Sequence, residues 1–349
     1  LPRGDWGEIM TLQNPRILLA ASIAFASLGL SAVSTAAPTA GSWLLVANKG
    51  DDAVGLVDPK TDQQSATIPE EGHTAHELAV SADGHIAFVP IYGSSGVGQP
   101  GTDGQVIDVI DLASHKIISK IDFGHGVRPH CAVLNHADGM LYVTTELDKQ
   151  ISVIDPKTYK VVGSVPTGQN ESHMLAISPD GKRGYTANVG PGTVSVMDLV
   201  NRKLITVIQV VPSNVQRIAI SKDGKWVFTS DQNKPRLAVI DTSNNTVKSW
   251  VDLPDVAYGT AVTPDGKYLL LTQPKTSKVA VMDLSTMKVT KSLDAPNSPQ
   301  EIVVQPDGKR AYISCSASGK VAVLDLQTMQ MESPINAGKG VDGMAWDGQ

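Results

Sequence analysis

Three features of the sequence predict an all-β fold: a unit of about 42 residues recurs along the chain, each unit divides into four short strands, and no helical period competes with them. The unit is plainest at Ser172-His173-Met174-Leu175-Ala176-Ile177-Ser178-Pro179-Asp180-Gly181. There a short apolar strand runs into a tight turn, where glycine supplies the positive φ. The same turn returns at Asp83-Gly84, Asp138-Gly139, Asp223-Gly224, Asp265-Gly266 and Asp307-Gly308. A second anchor keeps the beat, an alternating strand closed by aspartate at Asp58, Asp111, Asp155, Asp198, Asp241, Asp283 and Asp325, which makes seven units.

Within one unit the predicted strands are Met174–Ser178, Arg183–Asn188, Thr193–Asp198 and Lys203–Val210, separated by Gly, Pro, Asn and Asp turns. A four-stranded sheet of this size cannot bury both faces alone, so the units must stack, and seven stacked sheets close into a seven-bladed β-propeller of antiparallel blades. The two chain ends predict how the ring shuts. The last unit stops after its first strand, Gly343 to Trp346, whereas Trp43–Asn48, Ala53–Asp58 and Gln64–Pro69 read as a second, third and fourth strand. One blade is therefore expected to be built from both termini, which removes the open sheet edges of a linear array.

The second strands Tyr142-Val143-Thr144-Thr145 and Tyr185-Thr186-Ala187-Asn188, with the seven anchors, resemble the YVTN-type seven-bladed propellers over roughly residues 43–346. No copy reads YVTN itself. The resemblance implies the fold; it leaves function open, because this scaffold hosts enzymes, binding modules and structural proteins.

Taken in order, residues 1–9 carry no pattern, and Met10 is the expected natural start. Arg16, the apolar run Ile17–Val33, and Ser34 and Ala36 in the −3 and −1 places predict a secretory signal peptide cleaved after Ala36. The competing membrane-anchor reading is weaker, since the run is short for a span and lacks a positive flank. The expected organisation is residues 1–36 as upstream sequence and cleaved signal, then 37–349 as a single propeller domain, periplasmic or secreted, with no membrane span. The composition, 41% hydrophobic and 18% charged over 349 residues, supports a large core. Cys131 and Cys315 lie in distant blades and are expected to fill core space rather than pair. A net charge of −6, with Lys182, Lys225, Lys267 and Lys309 spread one per blade beside the turns, argues against nucleic acid as a partner. Similarity to periplasmic propellers described as binding single-stranded DNA keeps that alternative as an implication of the resemblance.

One irregularity breaks the beat. The stretch Gly93–Gly104 lengthens the first turn-to-turn interval to 55 residues. Within it, Gly96-Val97-Gly98-Gln99-Pro100-Gly101 spells G-x-G-x-x-G, a pattern that holds a pyrophosphate only when a helix N-terminus follows. Here a strand, Val106–Asp111, follows. The insertion is expected to be a flexible loop or a lid over a site.

Strand direction places the loops before the first strands, those between second and third strands, and the insertion on one face. The residues opening the first strands there form a column: His76, His130, His173, Gln216, Tyr258, Gln300 and Asp342. These seven are the predicted ligand-binding ring at the channel mouth. Five of the eight histidines, His73, His76, His125, His130 and His173, fall in three successive loops, and imidazoles from neighbouring blades suit zinc or copper, so His76, His130 and His173 are the candidate metal set. The bland alternative is that each histidine only closes a loop hydrogen bond, as in the Pro129-His130 pair.

Two functional classes follow. The first is an exported propeller binding a small molecule, a metal ion or a protein at the mouth. The second is an enzyme: propellers of the lactonase, lactonising and lyase kinds place His, Arg and Glu around the same mouth. Here Arg128 would be the anion clamp, and His130 with Glu146 or Glu171 the acid–base pair. No activated-serine context is present.

Overall fold

The structure, a computed structural model, describes residues 43–347. The predicted signal peptide, residues 1–36, lies outside the described residues. Seven antiparallel sheets follow one another in the chain, each in meander order. We number the blades by their column residues, so that blade 1 follows His76 and blade 7 begins at Val341. The innermost strands succeed each other round the ring, and the last, Val341–Trp346, lies against the first, Ala79–Val80.

Burial explains the sequence texture. The first three strands of a blade are covered on both faces by neighbouring blades, so they read as apolar runs, as in Leu44–Asn48 and Leu141–Thr145, both buried throughout. The fourth strand is outermost and alternates, as in Lys116–Asp122, where only Ile121 is fully covered. The closing aspartate accepts a backbone N–H two or three residues on, at 2.7 Å for Ser114 on Asp111 and 2.9 Å for Asn201 on Asp198, so it fastens the next turn. Every Asp-Gly turn glycine has φ between 70° and 74°, which is why glycine recurs there.

The ends clasp as expected. Leu44–Asn48 pairs with Ala53–Asp58 on one side and with Val341–Trp346 on the other. Trp43 N donates to Asp347 Oδ1, and Asp347 N returns a bond to the Trp43 carbonyl at 3.1 Å. Cys131 and Cys315 are buried free thiols. Among the described residues no helix is long and apolar enough to cross a membrane.

Two local features depart from the simple unit. In blade 6 the fourth strand is split into Gln330–Met331 and Ile335–Asn336, around Pro334, which cannot donate to the ladder. The insertion is not loop throughout: Ile86–Gly93 and Asp103–Asp111 run on as a long hairpin, and only its tip is irregular.

Candidate functional site

The residue two places before the column sits at positive φ in six blades: Thr74, Arg128, Glu171, Asn214, Ser298 and Gly340, between 51° and 69°. This left-handed step turns the chain into the channel. In five blades the ladder then slips by a residue at the start of the innermost strand, as between Pro129 and Ala132 or Val215 and Ile218. The irregularity lets the column residue and the one after it both turn toward the axis.

The column does gather. His76, His173, Gln216, Tyr258, Gln300 and Asp342 line one cavity of about 360 Å³, with Lys49 and Val97 among its other walls. His130 does not reach it. Its ring is fully buried between the other two histidines, with centroids 4.5 Å from His76 and 3.6 Å from His173. Its Nε2 lies 3.1 Å from His76 Nδ1, while its Nδ1 is buried without a partner. The three imidazoles are therefore stacked rather than aimed at a common centre. Among the described residues no group of three or more His, Cys, Asp or Glu side chains is arranged to hold a metal ion, so the zinc or copper set expected at His76, His130 and His173 is not formed by this arrangement. The rings pack at interplanar angles of 43° and 33°, and the close nitrogen pair among them, His130 Nε2 with His76 Nδ1, is taken up as a hydrogen bond between two rings. His73 and His125 stand outside the stack, exposed beside Asp52 and Asp148.

Each rim histidine is oriented by a carboxylate. His173 Nδ1 donates to Glu146 Oε1 at 2.7 Å, and the Tyr92 hydroxyl donates to Glu146 Oε2 at 2.6 Å. That bond fixes a proton on Nδ1, so in the neutral imidazole the lone pair belongs to Nε2. His76 Nδ1 lies 3.3 Å from Asp342 Oδ2, which also pairs with Lys49 Nζ at 3.1 Å. Burial pushes the His76 pKa down to about 4 despite Asp342, and pushes His130 well below its usual range with further help from the neighbouring His173 and His76. Both rings are neutral at physiological pH.

One residue deeper lies a ring the column does not announce. Arg217 crosses the channel from blade 4: its Nη1 donates to Glu77 Oε1 of blade 1 at 2.5 Å and to Glu301 of blade 6. Asp342 Oδ1 lies 3.9 Å from Nη2, and the Tyr258 ring covers the guanidinium at 4.5 Å. Burial raises the Glu77 pKa, and burial with the nearby Glu77 raises that of Glu301 to about 8. Burial works on Asp342 in the same direction, but His76, Lys49 and Arg217 together hold it well below the carboxylate range. Gly343 completes the fit, since a Cβ there would collide with the His76 carbonyl and with Glu77. Two glutamates and an arginine in otherwise apolar strands were the available signal, and strict strand alternation hid it.

The four catalytic candidates separate. Glu146 joins His173, not His130, so the acid–base pair that geometry forms is His173 with Glu146. Arg128 is not free to clamp an anion, because Nε donates to Asp103 Oδ1 at 2.6 Å, Nη2 to the Gln99 carbonyl at 2.8 Å and Nη1 to the Gly96 carbonyl at 3.3 Å. Glu171 accepts from Gly190 N at 2.8 Å and sits beside Gly98. Arg128, Glu146 and Glu171 line a second cavity of about 440 Å³ beside the mouth. The G-x-G-x-x-G stretch forms the hairpin tip and runs into the strand Asp103–Asp111, with no helix following.

Chemically, the mouth offers neutral donors and acceptors. Its charges are matched among themselves, Lys49 with Asp342 and Arg217 with the glutamates. The amide nitrogens of Gln216 and Gln300 are held by Asn214 and Ser298, at 2.9 and 2.8 Å.

A family model described as a domain of unknown function (DUF5074) matches residues 105–298. The chain is also similar to the seven-bladed beta-propeller protein Rv1057 of Mycobacterium tuberculosis (strain ATCC 25618 / H37Rv), 33% identical over 132 residues, which is 37% of this chain. The match spans 30% of that relative's length. Among solved structures, a chain of the one titled Kuenenia stuttgartiensis Hydrazine Synthase superposes with a TM-score of 0.71 at 21% identity, covering 82% of this chain and 93% of that one. At that identity the likeness is one of fold.

Proposed function

The chain belongs to the DUF5074 family, and on that premise we propose that it is an exported propeller of the YVTN-repeat type that binds a small polar molecule at the histidine-lined mouth. The observation that carries this reading is the cavity of about 360 Å³ lined by six of the seven column residues. Its size suits a small ligand. With the cations and carboxylates paired off, the lining selects a molecule with several hydroxyl or amide groups and little net charge. The signal-like sequence of residues 17–36 supports export. The spread of lysines and the net charge of −6 favour a small molecule over nucleic acid.

A melting-shift screen of small polar compounds tests this with the parent chain and His173→Gln. A compound that raises the parent's melting temperature and leaves the variant's unchanged supports the site. Compounds that shift both alike, or none that shifts the parent, count against it.

One observation favours a second reading, acid–base catalysis of the lactonase or lyase kind. The Glu146–His173 bond assigns the lone pair of the neutral imidazole to Nε2, and His173 lines the cavity, the arrangement a general base needs. That reading requires turnover of a bound compound, abolished in His173→Gln with binding retained.

A further inference from the structure

The insertion of blade 1 has no counterpart in the other six blades, and it folds back over the mouth. Val97, at its tip, is part of the wall of the first cavity, whereas Gly98, Gln99 and Pro100 wall the second. The tip is thus a partition between two chambers. The buried pair beneath it is shared: His173 lines one chamber and its partner Glu146 the other.

The two arms of the hairpin approach closely at its base. Gly93 has φ +104°, and a Cβ there would run into the Thr102 carbonyl; at Gly104 it would run into the Ile91 carbonyl. Between these points the tip is held down chiefly by one side chain. Arg128 donates to Asp103, Gly96 and Gln99, so all three of its nitrogens are engaged with the insertion. It issues from the left-handed step at φ 51° in blade 2, and its backbone N also bonds the Gly104 carbonyl at 2.9 Å.

We propose that residues 94–102 are a lid on the mouth and that Arg128 is the latch that decides what the site admits. Shut, the tip leaves two small chambers. Released, it joins them into one cleft over the His173–Glu146 pair, long enough for an extended polar ligand. The proposal deepens the small-ligand reading of the mouth, but its test needs no ligand, so the two can fail separately.

The probe is diethyl pyrocarbonate, which carbethoxylates accessible neutral imidazoles, read out per histidine by peptide mass spectrometry on the full chain. His136, exposed in the turn before Asp138-Gly139 at the opposite end of the strands, is the internal standard, and His130, sealed behind the stack, reports unfolding. In Arg128→Ala the ratio of His173 to His136 labelling rises by about tenfold or more, the least expected when three hydrogen bonds from a charged group are lost. In Asp103→Ala, where one bond is lost at a half-exposed site, it rises by a few-fold on the same reasoning. His130 stays unlabelled in both. A ratio unchanged in both variants overturns the proposal, and so does His130 labelling in step with His173.

Discussion

Arg217→Met removes the cation that crosses the channel while keeping much of the side-chain volume. The buried guanidinium contacts Glu77 and Glu301, with Asp342 close by. Breaking a buried pair from one side strands the other charge, at a cost of about 3–5 kcal/mol. The cost has a definite pH dependence. Glu301 already has its pKa raised to about 8 with Arg217 present, and losing the cation raises both glutamates further. A carboxylate raised above its unfolded value contributes stability below the unfolded pKa and loses it as pH rises through the folded one. The variant's deficit is therefore small near pH 4.5, where the glutamates carry protons, and grows as pH rises to 8 and beyond. Urea unfolding of parent and variant at pH 5 and pH 8 measures it. Adding Glu301→Gln to Arg217→Met should recover more than about 1 kcal/mol at pH 8, since neighbours in one network couple by that order. An equal deficit at both pH values, with no recovery in the double variant, would refute the cross-channel tie.

Other expectations follow from single residues. His76, held neutral down to about pH 4 by burial, contributes stability that is complete above its unfolded pKa and lost as pH falls from 6.5 to 4, up to about 3 kcal/mol; His76→Gln should flatten that part of a stability-versus-pH curve. Asp108 is fully buried with Oδ1 unpartnered, where the other blades carry Gly55, Ser152, Ser195, Ala238, Ala280 and Ala322. Asp108→Ser should therefore stabilise the protein by about 1 kcal/mol at pH 8, read as a higher urea midpoint, even though it gives up the cap on Glu71 N. Removing the chain before Ala53 takes the middle strand from the closing blade and should leave an aggregating or low-melting protein; a parent-like melting curve would contradict the clasp.

The parts of the fold set by local rules were legible in the sequence. Asp-Gly turns need positive φ, strand-closing aspartates fasten the next turn, and blade 7 can be counted from its missing strands at either end. The column was legible too, because a repeat fixes equivalent positions, and six of its seven members share one cavity. What escaped needed tertiary knowledge. Strand alternation turns Arg217 away from the axis, and only the ladder slip at Val215 points it inward with Gln216. His130 occupies the same repeat position as His76 and His173, but the stack seals it off, which spacing cannot express. Arg128 looked like an anion clamp because no repeat rule says where the tip of a unique insertion lands. The split outer strand of blade 6 did have a signal, Pro334, that the regular beat overrode.

Native mass spectrometry of the full chain incubated with pooled small polar metabolites tests most directly whether the mouth is a ligand site. Gln216 and Gln300 reach the cavity from blades 4 and 6 and belong to neither the histidine stack nor the Arg217 tie. The prediction is one bound molecule per chain in the parent and none in the Gln216→Ala, Gln300→Ala double variant, with both melting alike. No adduct on the parent, or the same adduct on both, would contradict it.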